Sequence, residues 1–183
     1  MTPPRPLLYA TLAAAYAATL VFAFVTEPSD RLVFAAVIAL PLIWLTVTDL
    51  TRQEIPDTAC AIIALSGLVF QWHLHGLTTA FLATLATAAG LTAAFWLLGG
   101  WYFRRRGVEG LGIGDAKLIG AGAICVGASQ AWAMILVAAT GGIVAALMAR
   151  RRGRADTGLA FGPFLAYAIF IFVNFPLTGP FAP

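Results

Sequence analysis

Two aspartates sit where a hydrophobic chain has little reason to keep a charge. Asp49 follows the apolar run ending in "WLTVT" and opens "DLTRQEIPD"; Asp115 lies in the glycine-rich stretch "GLGIGDAKLIGAG", just ahead of another apolar run. Two carboxylates sharing one proton can hydrolyse a peptide bond, one drawing a proton from water while the other protonates the carbonyl oxygen. Close carboxylates do not readily both ionise, so the mixed protonation state is available near neutral pH. That chemistry needs no metal, and the sequence carries no cofactor signal.

The elements that must position the pair are set by a composition that is 61% apolar and only 10% charged, with a mean hydropathy of +0.89. Soluble domains keep about a quarter of their residues charged. The chain is therefore read as an all-α, polytopic membrane helix bundle. No polar linker long enough to separate two units appears, so residues 1–183 are read as a single integral-membrane domain. Apolar runs bounded by breakers predict seven spans, at 6–26, 32–49, 57–72, 76–101, 115–128, 130–149 and 159–175, the third and fifth being short. The first run has the flanks of a secretory signal, but about twenty apolar residues mark it as a retained helix. Residues 1–31 then carry an extra N-terminal helix and residues 32–175 a six-helix core.

Lys and Arg accumulate in short cytoplasmic loops. With the N-terminus inside, Arg5, Arg52, Arg104, Arg105, Arg106, Lys117, Arg150, Arg151, Arg152 and Arg154 all fall on the inner side, and only Arg31 falls outside. The net charge of +3 is thus a topology signal rather than a nucleic-acid footprint. The same topology puts the C-terminus outside and both aspartates at the inner end, Asp49 closing the second span and Asp115 opening the fifth. A helix of about 14 residues rises only about 21 Å against a hydrocarbon core near 30 Å, which recesses Asp115 below the inner surface.

Most of the notable residues carry two readings. Asp115 after two glycines is a possible N-cap as well as a reactive group, whereas Asp49 at a helix C-terminus meets the unfavourable end of the macrodipole. On dipoles alone, Asp115 is the expected base and Asp49 the expected acid. Asp57, after "IP", is read as the N-cap of the third helix. Glu54 and Glu109 are solvated loop charges or the lining of an entrance. Gly112 and Gly114 permit close approach of an extended strand, while Gly120, Gly122, Gly141 and Gly142 suit close helix packing. Lys117 is either an oxyanion partner or a snorkelling anchor. His73 and His75 form a metal-capable pair or an interfacial anchor beside Trp72. Cys60 and Cys125 lie in separate spans, which fits neither a zinc site nor a disulfide.

Taken together, "DLTRQEIPD" after an apolar helix, "GLGIGDAKL" at the start of another and "FGPFLA" in the last span resemble the type IV prepilin peptidases, membrane aspartic proteases of the GxGD type. The resemblance runs from about residue 35 to 172. It implies that Asp49 and Asp115 are the catalytic pair, that Gly112 and Gly114 are the motif glycines and Lys117 its nearby lysine, and that Phe161, Gly162, Pro163 and Phe164 form the late supporting segment. It further implies an endopeptidase of the bacterial inner membrane that removes a short, usually basic cytoplasmic leader from type IV prepilins. The expected partners are such a prepilin and membrane lipid, with no nucleic acid. Many bacterial members also carry paired CxxC motifs and a methyltransferase activity; with two isolated cysteines, the expected form is the stand-alone peptidase of Flp or Tad pilus systems, without methyl transfer. The rival class is a small proton- or cation-coupled transporter using the two aspartates. That class predicts an internal repeat or acids at mid-membrane, and the sequence shows neither.

Overall fold

The computed structural model describes residues 6–26, 29–107, 112–151 and 160–177. Arg5, Glu109, Arg152 and Arg154 lie outside the described residues. The described residues form seven helices: α1 (Pro6–Thr26), α2 (Ser29–Arg52), α3 (Asp57–His75), α4 (Thr79–Arg106), α5 (Ile113–Val126), α6 (Ala131–Arg151) and α7 (Gly162–Asn174). The chain is a helical membrane bundle. α2 from Arg31, α3, α4 and α6 are each long and apolar enough to cross a bilayer, while the apolar parts of α1 and α7 are shorter.

Each predicted span has its helix, but the ends differ in an informative way. α3 runs on to His75 and is 19 residues long, α4 continues through Arg104, Arg105 and Arg106, and α2 continues to Arg52. Hydropathy marks where a helix leaves lipid, whereas the backbone stops only where its hydrogen bonds are intercepted. Gly76 does this for α3, at φ 57° with its N–H on the Trp72 carbonyl. Two residues later Thr78 caps α4, its side chain accepting from the Phe81 N–H.

α5 is the axis of the bundle. It packs against α3, α4, α6 and α7, and nine of its 14 residues are buried. The run Gly120–Ala121–Gly122–Ala123 explains how so short a helix touches so many others. A Cβ on Gly122 would lie 2.7 Å from the Ile169 side chain, and one on Gly120 would run into the Thr92 hydroxyl. Across the α3 face, a Cβ on Gly67 would sit 2.8 Å from the Cys125 sulfur. In lipid, helices gain little from leaving one apolar medium for another, so association rests on this closeness of packing. Cys60 and Cys125 are free and buried, as small core residues. α1 joins by packing on α2 and α7; its Tyr16 is buried with its ring 4.6 Å from Phe170 and 5.6 Å from Tyr167.

These contacts predict a graded response of stability. Gly122→Leu and Gly67→Val should each destabilise the bundle by about 1–3 kcal/mol through overpacking, read as a lower melting temperature in detergent. Gly90→Ala, where an added Cβ meets nothing within 4 Å, should leave it unchanged or slightly higher.

Candidate active site

Three helix ends converge on one spot. The last turn of α2 carries Asp49, whose side chain is 5% exposed. α2 is stopped by Gln53, in the left-handed region at φ 54°, with its N–H on the Asp49 carbonyl. Residues 54–56 then lead directly into α3, with Pro56 extended (φ −65°, ψ 126°) at its N-cap.

α5 begins at Gly112, its N-cap, so Asp115 is the third residue of the helix rather than its cap. The Asp115 carboxylate turns back to accept the Gly112 N–H at 3.3 Å. Because glycine has no side chain to reciprocate, this is one half of a capping box. Asp115 is partly buried, and Asp49 is the neighbouring charge it experiences.

The third end is that of α7. Phe161 caps it, Pro163 occupies its first turn where no donor is needed, and the freed Gly162 N–H donates to Asp49 Oδ2 at 2.9 Å. Only glycine fits at 162, since a Cβ there would lie 2.6 Å from that same oxygen and 3.3 Å from Ile55 Cδ1. Ile55 also fills the space beside Gly114, where a Cβ would approach its own Cβ to 2.8 Å. The linker after α2 thus lays one apolar side chain against both glycines. Phe164 packs on α6, 3.0 Å from where a Cβ on Gly141 would be.

This geometry revises the electrostatic expectation. Each carboxylate accepts a backbone N–H at a helix N-terminus, Asp115 from its own helix and Asp49 from α7. The positive end of α7 offsets the unfavourable end of α2 at Asp49. Helix dipoles therefore do not divide acid from base between the two.

Two other expectations change. Asp57 is not a cap: it is the first residue of α3, and its carboxylate pairs instead with Lys117 Nζ at 2.7 Å. Lys117 is engaged there rather than with the carboxylate pair. Both partners are substantially exposed, 44% for Lys117 and 73% for Asp57, so their pairing is worth at most about 1 kcal/mol. His73 and His75 lie in the last turn of α3, the opposite end of the helix from Asp57. Among the described residues no group of three or more His, Cys, Asp and Glu is placed to hold a metal ion. Glu54 is exposed beside the site. The wedge role of Ile55 was not read from the sequence, although it is the lone apolar residue in "TRQEIPD". The Asp57–Lys117 pair had no sequence signal at all.

Residues 36–149, from α2 to near the end of α6 and including both aspartates, match the type IV leader peptidase family. The chain belongs to that family. Curated relatives described as prepilin leader peptidase/N-methyltransferase include one from Pectobacterium carotovorum subsp. carotovorum, 35% identical over 68% of this chain and 45% of the relative. One from Burkholderia pseudomallei strain K96243 is 32% identical over 76% of this chain and 45% of its own length. Another, from Escherichia coli strain K12, is 34% identical over 67% of this chain and 54% of the relative. The chain spans about half the length of these curated relatives. No solved structure gives a significant match. As a type IV leader peptidase family member with four helices able to cross a bilayer, the chain is a multi-pass membrane protein.

Two substitutions separate positioning from bystander roles at this family's candidate site. Gly162→Ala should displace Asp49 and lower hydrolytic turnover about a hundredfold, the scale of a misplaced reacting group, in steady-state assays of protein that still melts cooperatively. Lys117→Gln should change turnover by less than about threefold, consistent with a surface ion pair.

Proposed function

We propose that the protein is a membrane-embedded aspartic endopeptidase that removes the short cytoplasmic leader from a type IV, Flp-like prepilin. The observation that carries this reading is that Asp49 and Asp115 are gathered at one end of the bundle, each accepting a backbone N–H at a helix end, with Ile55 lying against both Gly114 and Gly162. One ionised carboxylate takes a proton from water, whose oxygen adds to the scissile carbonyl carbon. The other, protonated, donates to the carbonyl oxygen, and collapse of the tetrahedral intermediate breaks the C–N bond as the amine gains a proton. Backbone donors fixed in advance hold the carboxylates through these steps without reorganising.

The site belongs to the inner edge of the bacterial inner membrane in this reading, with the N-terminus and the reactive carboxylates cytoplasmic and the C-terminus outside. The support is the positive-inside pattern: Arg52 ends α2, Arg104 to Arg106 end α4, and Arg150 and Arg151 end α6, the same end at which α5 begins. Peptide-bond hydrolysis is the activity assigned to Asp49 and Asp115; methyl transfer, the second activity in the relatives' description, is not assigned to this chain. Residues 32–175 form the peptidase core in this proposal, with α1 as a supporting helix against α2 and α7.

Asp49→Asn and Asp115→Asn should each reduce cleavage of a reconstituted prepilin by more than about a thousandfold, followed by gel shift and mass spectrometry of the released leader. Both variants should keep the wild-type helical signal. Cleavage by either variant at the wild-type rate would remove the aspartyl mechanism. A chelator should leave the wild-type rate unchanged.

A further inference from the structure

α3 and α4 are joined by a tight turn yet barely pack on each other, because each lies along α5 instead. At the turn they are pinned by Trp72 against Phe81, ring to ring at 5.9 Å. From there they splay into a groove of about 760 Å³, whose floor is Gly120, Ala121 and Ile124 of α5 and whose walls are rich in alanine. Along α4 the lining runs from Leu85 to Trp96, about 17 Å or three turns of helix. The wide end carries the Asp57–Lys117 pair. Trp96 also borders a second hollow of about 300 Å³ that reaches Gly112 and Ile113, the start of the helix that carries Asp115.

We infer that this α3/α4 groove docks the apolar helix of the substrate whose leader is removed, an inference that rests on the peptidase reading. Three observations select this occupant. At Trp96 the groove adjoins the hollow that reaches the start of the helix holding Asp115, which sets it beside a path to the cleavage site. Its alanine walls at Ala61, Ala64, Ala89 and Ala93 let a second helix backbone approach closely. Its charged residues, the Asp57–Lys117 pair, lie at one end only, so an apolar helix meets mostly apolar lining along its length and leaves its polar leader at that end. The other large hollows sit elsewhere: the one between α2 and α3 includes His73, and another includes Arg31 and His75, both toward the end of α3 away from Asp57.

The groove also dictates the conformation of the scissile segment. Lys117, Gly120, Ala121 and Ile124 share one face of α5, while Asp115, Leu118, Ile119 and Gly122 share another. A helix seated in the groove is therefore on the wrong side of α5 for hydrolysis. The chain leaving it has to cross the N-terminal end of α5 over Gly112 and Gly114, and it can do so only when unwound. Docking the helix and extending the cleavage segment are the same event.

The test uses the full chain in nanodiscs with a synthetic substrate of basic leader, glycine and a twenty-residue apolar helix. A benzophenone amino acid is placed at Ala61 or Ala89, which face the groove, or at Ala86, an exposed α4 position outside its lining. With Asp49→Asn holding the substrate uncut, adducts from the two groove positions should map by mass spectrometry to the substrate helix, and those from Ala86 to lipid. In the active chain, Ala89→Phe should raise KM about tenfold with kcat kept, a loss of about 1.4 kcal/mol of binding, while Ala86→Phe changes neither. Adducts to lipid or to a second copy alone, with wild-type cleavage intact, would overturn the groove and leave the peptidase reading standing. Absence of wild-type cleavage would overturn both.

Discussion

A carboxylate inside a bundle that faces lipid is costly unless a donor meets it, and the Gly162 N–H on Asp49 is the contact on which the candidate site depends. It ties the end of α2 to the start of α7 across most of the chain. A residue with a Cβ at 162 would occupy the space of the carboxylate it holds. Proline at 163 belongs to the same arrangement, since it starts the helix without adding a donor of its own. The late "FGPF" segment therefore acts through a backbone amide, and its side chains fix where that amide points.

The second constraint is the smallness of α5. Four helices share one short axis because glycine and alanine fill its middle, and the N-terminus of α5 is held against the linker after α2, where Ile55 lies beside Gly114. In the proposed reading, packing and chemistry are carried by consecutive parts of one helix: residues 112–115 hold the Asp115 carboxylate, and residues 118–126 pack in the bundle. Because α3 and α4 each pack along α5 rather than on each other, a splay is left between them. Under the proposed activity, α5 would offer a wide face to grip one helix and an end to cut the chain next to it.

Much of this was legible in the residues themselves. Seven apolar runs predicted seven helices, because the cost of unpaired backbone in lipid leaves helix as the conformation for each run. Asp49, Asp115 and Gly112 stood out as charge and backbone freedom at the edge of apolar runs, whereas Gly162 was marked only by the resemblance of its "FGPF" segment to the family. Helix ends were less legible. α3 was expected to stop near Trp72 and runs to His75, since side-chain hydropathy does not register where backbone hydrogen bonds cease.

Sequence by itself determined the bundle and its apolar helices, because each follows from local composition and from the membrane as solvent, and it set apart Asp49 and Asp115 as candidates. Only the tertiary structure decided how they are held: that Asp49 is met by the start of α7, that Ile55 lies against both glycines, and that Lys117 belongs to Asp57. Those are contacts between residues 59 to 113 positions apart, and no local pattern encodes the direction in which a helix end points. The helix-dipole expectation for dividing acid from base was incomplete for this reason. It counted the two helices that carry the aspartates and had no means of seeing the third helix that aims at one of them.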